Sequence, residues 1–218
     1  MHGRAAIARI ATVIAMAIAT SVATASDDPL VAFLEVTTTI SADFEQELTD
    51  PDGRLVESSR GRLVIERPGR LRWDYDEPDQ TVLADGERLW LFDREVDQVT
   101  ISDQNDTLGG SPAALLAGSS DALDAFERAA AYTVDDVDWF ELTPRADDVD
   151  FAVVRIGFAG STLQAMVLDD RLGQQTFIRF SDMTLNDPVD DARFALEIPP
   201  YVDVVDNTKA PSDTPLSE

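Results

Sequence analysis

Cysteine is absent from this chain of 218 residues, and histidine and lysine each occur once, as His2 and Lys209. Ser-His-Asp and Cys-His catalytic arrangements need a histidine, and structural zinc sites are built from cysteine and histidine. Lys209 lies among Pro, Ser and Asp residues near the carboxyl end, where a Ser-Lys pair or a Schiff base is not expected. The composition therefore argues against the commonest nucleophilic and zinc-dependent enzymes.

Motifs for other cofactors are also missing. The stretch DQNDTLGG at residues 103–110 resembles the start of a calcium-binding loop, but Leu108 stands where such a loop needs glycine and Ala114 where it needs a bidentate glutamate. The chain has no phosphate-binding glycine loop and no G-x-S-x-G elbow. We therefore expect no metal and no cofactor. Because acidic residues are numerous, an acid-pair hydrolase stays open as an alternative, with no pair favoured.

The amino-terminal residues have the pattern of a secretory signal peptide. A basic start containing Arg4 and Arg9 precedes an apolar run over residues 10–22 and an Ala-x-Ala cleavage site ending at Ala25. We expect cleavage after Ala25 and export to the periplasm. The apolar run is too short for a membrane span, and no cysteine follows that would carry a lipid. The mature chain is therefore expected to be soluble, not membrane-anchored, and free of histidine.

The rest of the chain is long enough for one domain with a hydrophobic core. We predict a single domain over residues 26–206, followed by a polar, disordered tail over residues 207–218. Without disulfides, the burial of apolar groups has to stabilise this domain. The sequence indicates no internal repeat and no second domain.

Acidic residues dominate the charge of the chain. There are 42 Asp and Glu residues against 17 Lys and Arg residues, a net charge of −25 that becomes −27 once the two arginines of the signal peptide are removed. A surface of this charge repels nucleic acid and anionic membrane surfaces. We expect no nucleic-acid partner and a monomeric protein. Adaptation to a salty habitat explains the excess better than docking to a partner does, but both explanations stay open.

Alternating apolar residues predict mainly β-structure. Strands of about five to eight residues follow one another with turns between them, which is typical of an antiparallel meander. In the first strand Ile40, Ala42 and Phe44 share one face. The stretch LWLF at residues 89–92 is apolar on both faces, so its second face must also be covered. The last strand is predicted around residues 194–198.

Three short helices are predicted among the strands. Acidic residues cap a helix over residues 30–36, Pro112 opens a second over residues 113–117, and a third is predicted over residues 122–131. The second and third helices lie in the middle of the chain. They are therefore the segments that we expect to cover a sheet with two apolar faces.

One cation lies on an apolar strand face. In the stretch VIERPGRLRWDYDEP, at residues 64–78, Arg67 shares its face with Leu63 and Ile65. After a Pro-Gly break the same face continues with Leu71, Trp73 and Tyr75. A cation among apolar side chains costs free energy unless it finds a partner. Arg67 either extends its head into water or is held by a partner elsewhere in the fold.

Several stretches together resemble one protein family. They are, in chain order, R-P-G-x-x-x-W at residues 67–73, D-G-x-x-L-W at residues 85–90, Q-V-T at residues 98–100, SPAALLAG at residues 111–118 and LGQQTFIRFSD at residues 172–182. In this order, after a signal peptide, the sequence resembles the periplasmic outer-membrane lipoprotein carrier family, LolA. The similarity extends over residues 33–205.

The resemblance implies a mainly β fold, an incomplete (half) β-barrel. Its curved antiparallel sheet has short helices as a lid over the concave apolar face, and the acyl chains of lipoproteins occupy the cavity between them. The implied cavity residues are Leu63, Ile65, Leu71, Trp73, Tyr75, Leu89, Leu91 and Met166. Members of the family take lipoproteins from an ATP-driven inner-membrane transporter and deliver them to the outer membrane, commonly to a receptor there.

By the same resemblance, Arg67 is the latch of the lid. The lid helix would cover residues 112–118, with Pro112 at its start and Leu115 or Leu116 plugging the cavity. Arg67 would donate hydrogen bonds to this helix, whose end leaves carbonyl groups unpaired. Acyl chains that enter the cavity would break these bonds. The closed, empty state would then compete with cargo and help to release it.

Three other interpretations stay open. An acyl-binding receptor or periplasmic sensor would use the same half-barrel scaffold, although a receptor normally carries a lipidated cysteine and a sensor a second domain. An acid-pair hydrolase would lose its activity when two particular carboxylates become amides. A structural β-domain without a ligand would have a filled core and would bind no hydrophobic dye.

Overall fold

The computed structural model describes residues 28–104, 112–118, 120–147 and 149–208. The predicted signal peptide, the stretch that resembles a calcium loop beyond residue 104, and the tail beyond residue 208 lie outside these ranges. The proposed division into one domain with a disordered tail therefore stays a prediction. Within the described ranges, no helix is long and apolar enough to cross a membrane.

The first helix, α1 (Pro29–Val36), confirms the helix predicted over residues 30–36. Asp28 caps its start, because the carboxylate Oδ1 accepts hydrogen bonds from the backbone N–H of Leu30 at 3.0 Å and of Val31 at 3.2 Å. The apolar side chains Leu30, Phe33 and Leu34 are buried together on one side of the helix. This spacing directs the buried side of α1 toward the sheet.

The second helix, α2 (Pro112–Ala117), lies where the sequence predicted it. Proline suits its first position because the N–H that proline lacks has no partner within a helix there. The carboxyl end of α2 meets the Pro-Gly turn, where the Gly69 N–H donates to the Ala117 carbonyl oxygen at 2.9 Å. Gly69 has a φ of 82°, a backbone conformation that favours glycine.

In the described part of the chain, thirteen strands form one sheet. They are β1 (Thr39–Thr49), β2 (Leu55–Glu66), β3 (Arg70–Tyr75), β4 (Gln80–Asp85), β5 (Arg88–Asp93), β6 (Gln98–Asp103), β7 (Phe126–Arg128), β8 (Tyr132–Val134), β9 (Val137–Pro144), β10 (Phe151–Ala159), β11 (Thr162–Asp170), β12 (Gln175–Leu185) and β13 (Asp203–Asp206). Their order is β13-β6-β5-β4-β3-β2-β1-β12-β11-β10-β9-β7, and β8 also pairs with β9. Pairing of β1 with β12 joins the two halves of the chain.

The sheet is curved and open. Among the described residues, the two ends of the strand order, β13 and β7, do not pair with each other. Neighbouring strands are antiparallel throughout, except that β13 runs parallel to β6. The predicted fold class, an incomplete barrel with short helices on one face, is confirmed.

The prediction of a helix over residues 122–131 is wrong. A 3₁₀ turn, Ser120–Ala125, is followed directly by β7 and then by β8. This alanine-rich stretch has a high intrinsic helix propensity, but tertiary pairing overrides that local preference. Phe126 pairs with Pro144, and Arg128 pairs with Leu142, which satisfies backbone groups along the edge of β9.

The last strand was predicted in the wrong place. Around residues 194–198 the chain has no strand, and the only strand near the carboxyl end of the described chain is β13. The alternating residues Phe194, Leu196 and Ile198 pack against the outer face of the sheet, and this packing produces a strand-like pattern without strand pairing.

The two faces of the sheet carry separate apolar clusters. The larger cluster lies between the concave face and the two helices, and the smaller one lies outside and contains Phe92, Val99, Ile101 and Val202. In β5, Leu89 packs against the inner cluster while Trp90 and Phe92 belong to the outer one. The outer face of residues 89–92 is covered by the segment that follows β12, whereas on the inner face Leu89 is partly buried and Leu91 is exposed. The prediction that both faces are covered therefore holds only in part.

Candidate functional site

Most of the predicted cavity residues form one continuous apolar wall. Strands β2 and β3 place their side chains on the concave face, since Leu63 pairs with Trp73 and Ile65 pairs with Leu71. All four side chains are buried in the inner cluster, together with Met166 from β11. Alternation along these strands directs every second side chain to this face. These residues come from distant parts of the chain and meet only because β1 joins the two halves of the sheet.

The remaining predicted cavity residues lie at the margin of this wall. Tyr75 and Leu89 are partly buried and pack against the inner cluster. Leu91 shares the face of Leu89 by alternation, but 41% of its surface is exposed, so it lies outside the buried cluster. The structure therefore brings seven of the eight residues to the inner cluster and leaves Leu91 at its open edge.

Two helices cover the wall. Leu115 and Leu116 of α2 are fully buried in the inner cluster, against β2 and β3. Pro112 begins this helix at the end farther from the Pro-Gly turn. The contribution of α1 was missed, because the sequence indicated the helix but not which face of the sheet it covers. Its buried residues Phe33 and Leu34 belong to the same cluster.

Arg67 links both helices to the end of β2. Its Nε donates to the Leu116 carbonyl oxygen of α2 at 2.8 Å. Its Nη1 donates to the carbonyl oxygen of Thr37 at 2.9 Å and to that of Phe33 at 3.2 Å, at the end of α1. Helix ends leave carbonyl groups without intrahelical partners, and a guanidinium group has enough donors to serve several of them. The partners of this cation are thus backbone oxygens rather than a carboxylate.

The surroundings of Arg67 are mostly apolar. Its guanidinium carbon lies 5.1 Å from the centre of the Phe33 ring, which allows a cation–π contact. Burial lowers the pKa of Arg67 to about 10. The side chain therefore stays charged at neutral pH, and its hydrogen bonds are charge-assisted. The alternative in which Arg67 extends its head into water does not describe this geometry, because the guanidinium group points into the fold.

Three aromatic residues form the wall beside the helices. The Phe44 ring centre lies 5.1 Å from that of Trp73 and 5.2 Å from that of Tyr75, both in edge-to-face geometry, and the Trp73 and Tyr75 rings stack at 6.2 Å. Burial, and secondarily the charge of Glu57, raises the pKa of Tyr75 to about 12. Tyr75 is therefore a neutral phenol at neutral pH, which suits an apolar wall.

In this conformation the inner cluster is filled by the protein's own side chains. Leu115 and Leu116 occupy the concave side, and the wall residues opposite them, such as Ile65 and Leu71, are inaccessible to solvent. Interior side chains are packed at the density of organic crystals, so an acyl chain cannot be added without moving something. The two short helices cover the wall, and the strands that form it are held together by pairing.

Comparison with known proteins decides which family this arrangement represents. The sequence model described as Outer membrane lipoprotein carrier protein LolA matches residues 35–197. The chain belongs to this family. The resemblance seen in the sequence motifs is therefore confirmed. The match begins near the end of α1 and spans α2 and the strands β1 to β12.

Individual members of the LolA family are similar over most of the chain. A protein from Methylobacillus flagellatus named outer-membrane lipoprotein carrier protein is 36% identical over 194 residues, which cover 88% of this chain and 95% of the relative. Proteins of the same name from Dechloromonas aromatica and Halorhodospira halophila are each 41% identical, over 82% and 76% of this chain and over 86% and 78% of the relatives.

Solved structures with this architecture are more distant in sequence. A DUF1329 family protein from Desulfovibrio piger matches with a TM-score of 0.50 and 12% identity, over 77% of this chain and 95% of that protein. A LolA superfamily protein from Nitrosomonas europaea, NE2245, matches with a TM-score of 0.47 and 16% identity, over 77% of this chain and 94% of that protein. The likeness to the Desulfovibrio protein supports the fold alone.

Proposed function

We infer that this protein is a periplasmic chaperone that binds the acyl chains of lipoproteins and carries them to the outer membrane. Its membership of the LolA family carries the inference, because relatives over most of the chain are named outer-membrane lipoprotein carrier proteins. The structure supports it with one observation: a continuous apolar wall on the concave face is covered by two short helices that Arg67 holds from their ends.

The energetics of acyl chains explain why such a wall is needed. Each buried CH₂ group contributes about 0.8 kcal/mol to membrane attachment, so a lipoprotein with several acyl chains does not cross water unaided. A carrier has to replace the bilayer with apolar surface of its own. The residues buried under α2, among them Leu63, Ile65 and Leu71, provide that surface once the helix moves.

Release follows from the hydrogen bonds that loading breaks. In the closed conformation Arg67 bonds to α1 and α2 at once, and Leu115 and Leu116 fill the concave side. Cargo that displaces α2 separates Leu116 from Arg67. The closed state then competes with bound acyl chains, and the protein returns cargo to a membrane or receptor without a nucleotide of its own.

This function needs binding without catalysis. We propose that an ATP-driven inner-membrane transporter loads the protein and that an outer-membrane receptor accepts the cargo where one exists. We also propose that the mature protein begins after Ala25, is not membrane-anchored and acts as a monomer. The net charge of −27 without the two arginines of the signal peptide supports brief contacts with anionic membranes, since the two surfaces repel each other.

A transfer assay tests the function. Mature protein is incubated with inner-membrane vesicles that contain the transporter, ATP and a labelled triacylated lipoprotein, and size exclusion follows the label. We expect the label to leave the vesicles in a soluble one-to-one complex. If the label stays in the vesicles while the protein binds free acyl chains, an acyl-binding sensor or receptor is the better interpretation. If neither the lipoprotein nor free acyl chains bind, the protein does not have the proposed acyl-binding cavity.

A further inference from the structure

Buried polar groups without a partner are concentrated on the side of the sheet that faces the helices. Among the described residues, four buried side-chain atoms make no hydrogen bond: Ser59 Oγ, Glu66 Oε2, Arg67 Nη2 and Trp73 Nε1. Glu66 Oε2 lies 2.9 Å from Arg70 Nη1, so we regard it as ion-paired. Ser59 and Trp73 lie on strand positions that alternation directs to the concave face.

Trp73 is the clearest of these cases. It lies in the middle of the wall, only 6% of its surface is exposed, and its ring contacts are with Phe44 and Tyr75. An indole N–H is only a donor and cannot be satisfied by changing its protonation. A buried donor without an acceptor costs about 1–3 kcal/mol, so its presence in an otherwise apolar wall calls for an explanation.

On the outer face, the indole N–H of Trp90 has a hydrogen-bond acceptor. Trp90 in β5 donates from Nε1 to Asp85 Oδ2 at 2.9 Å. Trp73 has no such acceptor among the described residues, although it is more deeply buried than Trp90. The inner tryptophan therefore has an unused donor at the surface that cargo contacts.

We propose that the indole N–H of Trp73 donates a hydrogen bond to an acyl carbonyl oxygen of bound cargo. The inference rests on the proposed function and names a polar contact within the same site. Acyl chains begin at ester or amide carbonyls, which are neutral acceptors and carry no charge into the wall. Once α2 has moved, Trp73 fixes how far the chains enter the concave face, because the carbonyl has to meet the indole. Trp73 is thus a positioning residue for cargo.

Paired ligands separate this contact from simple burial. We would compare a dipalmitoyl-glyceryl cysteine lipopeptide with its dihexadecyl ether analogue, which has the same chains and no ester carbonyls. Affinity is measured by displacement of a fluorescent fatty acid below the micelle concentration. We expect wild-type protein to bind the ester about fivefold more tightly than the ether, the effect of one hydrogen bond. Trp73→Phe should bind both ligands equally.

The matched control is Trp90→Phe, which removes an indole N–H from the outer face and should keep the preference for the ester. A loss of packing at Trp73 weakens both ligands and leaves their ratio unchanged. Equal binding of ester and ether by wild-type protein, or an unchanged ratio in Trp73→Phe, overturns the proposal while the carrier function stands. Failure of both ligands to bind contradicts the proposed function instead.

A second measurement needs no substitution in the ligand-binding wall. NMR of the indole N–H groups, after tryptophan-selective labelling, reports each of the three tryptophans separately. We expect the Trp73 resonance to move toward the hydrogen-bonded range on addition of the ester but not of the ether. A Trp73 resonance that responds equally to both ligands contradicts the hydrogen bond even if Trp73→Phe does not fold.

Discussion

Arg67 is one residue whose partners come from two separate parts of the chain. It leaves the end of β2 and reaches the ends of α1 and α2, and its own backbone N–H donates to the Thr38 carbonyl oxygen at 2.7 Å. A cation bonded only to backbone oxygens is stabilised while both helices stay in place. When α2 moves, the cation loses the Leu116 carbonyl in a low-dielectric environment. We therefore expect the hydrogen bonds of Arg67 to depend on the position of α2.

Replacement of Arg67 by leucine tests this role. We expect Arg67→Leu to bind lipoprotein but to hold it about tenfold more tightly, a change of about 1.4 kcal/mol, because closure no longer competes with cargo. The measurement is the rate of transfer of labelled lipoprotein to acceptor membranes. Arg70→Leu is the matched control, since Arg70 is paired with Asp191 on the outer side. If Arg67→Leu transfers cargo as fast as wild type, Arg67 is not a latch.

The sequence identified Arg67 as exceptional but did not identify all its partners. A cation on the face of Leu63 and Ile65 indicated a need for a partner, and the family resemblance pointed to α2. The carbonyls of Phe33 and Thr37 were not predicted, because no local pattern shows where the end of α1 lies relative to β2. Contacts between parts of the chain far apart in sequence depend on the assembled sheet.

At the scale of the element, β5 separates structural burial from cargo contact. Phe92 is buried in the outer cluster, and its neighbour Leu91 is exposed at the edge of the concave face. Successive residues of a strand point to opposite faces, so two adjacent substitutions report on different surfaces. We therefore expect the outer cluster to contribute to stability and the concave face to contact cargo.

An alanine substitution at Phe92 should therefore affect stability, whereas one at Leu91 should affect acyl binding. Phe92→Ala is expected to lower the free energy of unfolding by about 3–5 kcal/mol, through lost burial and a cavity, with unchanged affinity for acyl ligands in the protein that stays folded. Leu91→Ala should change stability by about 0.5 kcal/mol or less and weaken acyl binding. Denaturant unfolding and dye displacement measure the two effects. A larger loss of stability in Leu91→Ala would place Leu91 in the core.

Arg155 on β10 is ion-paired with Glu141 on β9 and Asp169 on β11, and this cluster makes a pH-dependent contribution to stability. Arg155 donates to Glu141 Oε2 at 3.1 Å and to Asp169 Oδ2 at 2.6 Å. Burial by itself raises the pKa of Asp169, but hydrogen bonds from Arg155 and Gln175 and the charge of Arg155 outweigh it and lower the pKa below its ordinary value. The contribution is therefore complete above the unfolded pKa and is lost as pH falls through the lower folded value.

Asp169→Asn tests this link. Because the amide cannot be ionised, the variant should be less stable than wild type by about 1–2 kcal/mol at neutral pH. The difference should shrink as pH falls below the ordinary Asp pKa of about 4. Urea unfolding across that range measures it, with the exposed Glu47→Gln as control. A difference that is constant at all pH values would mean that the Asp169 charge contributes nothing.

For the whole molecule, charge and fold are separate properties. The net charge, −25 for the full chain and −27 without the two arginines of the predicted signal peptide, lies on a surface that encloses a largely apolar interior. Like charges repel in the compact state and are screened by salt. We expect the Tm to rise by several degrees between about 0.05 and 0.5 M NaCl, since about 1 kcal/mol corresponds to about 2–4 °C in a chain of this size. Calorimetry that shows no rise would contradict net repulsion.

Periodicity predicted most of the strands but not the pairing that joins the two halves of the sheet. Alternation located β1 to β6 and β9 to β12 closely, because each has one buried face. It failed over residues 122–131, where edge pairing overrode helical spacing, and over residues 194–198, where packing on the outer face imitated a strand. The β1–β12 pairing that creates the concave wall has no local signal and was not predicted, because the family resemblance implied only a curved antiparallel sheet with a lid.

We propose that α2 has to move away from the sheet before acyl chains are bound. Since the chain has no cysteine, two spin labels attach only where cysteines are introduced, at Gly118 beside α2 and at the exposed Glu77 after β3. Pulsed electron paramagnetic resonance then measures the distance between them. We predict a longer distance when a triacylated lipopeptide is bound, and a longer distance in empty Arg67→Leu than in empty wild type. An unchanged distance in a protein shown to be loaded would contradict the proposed movement of α2.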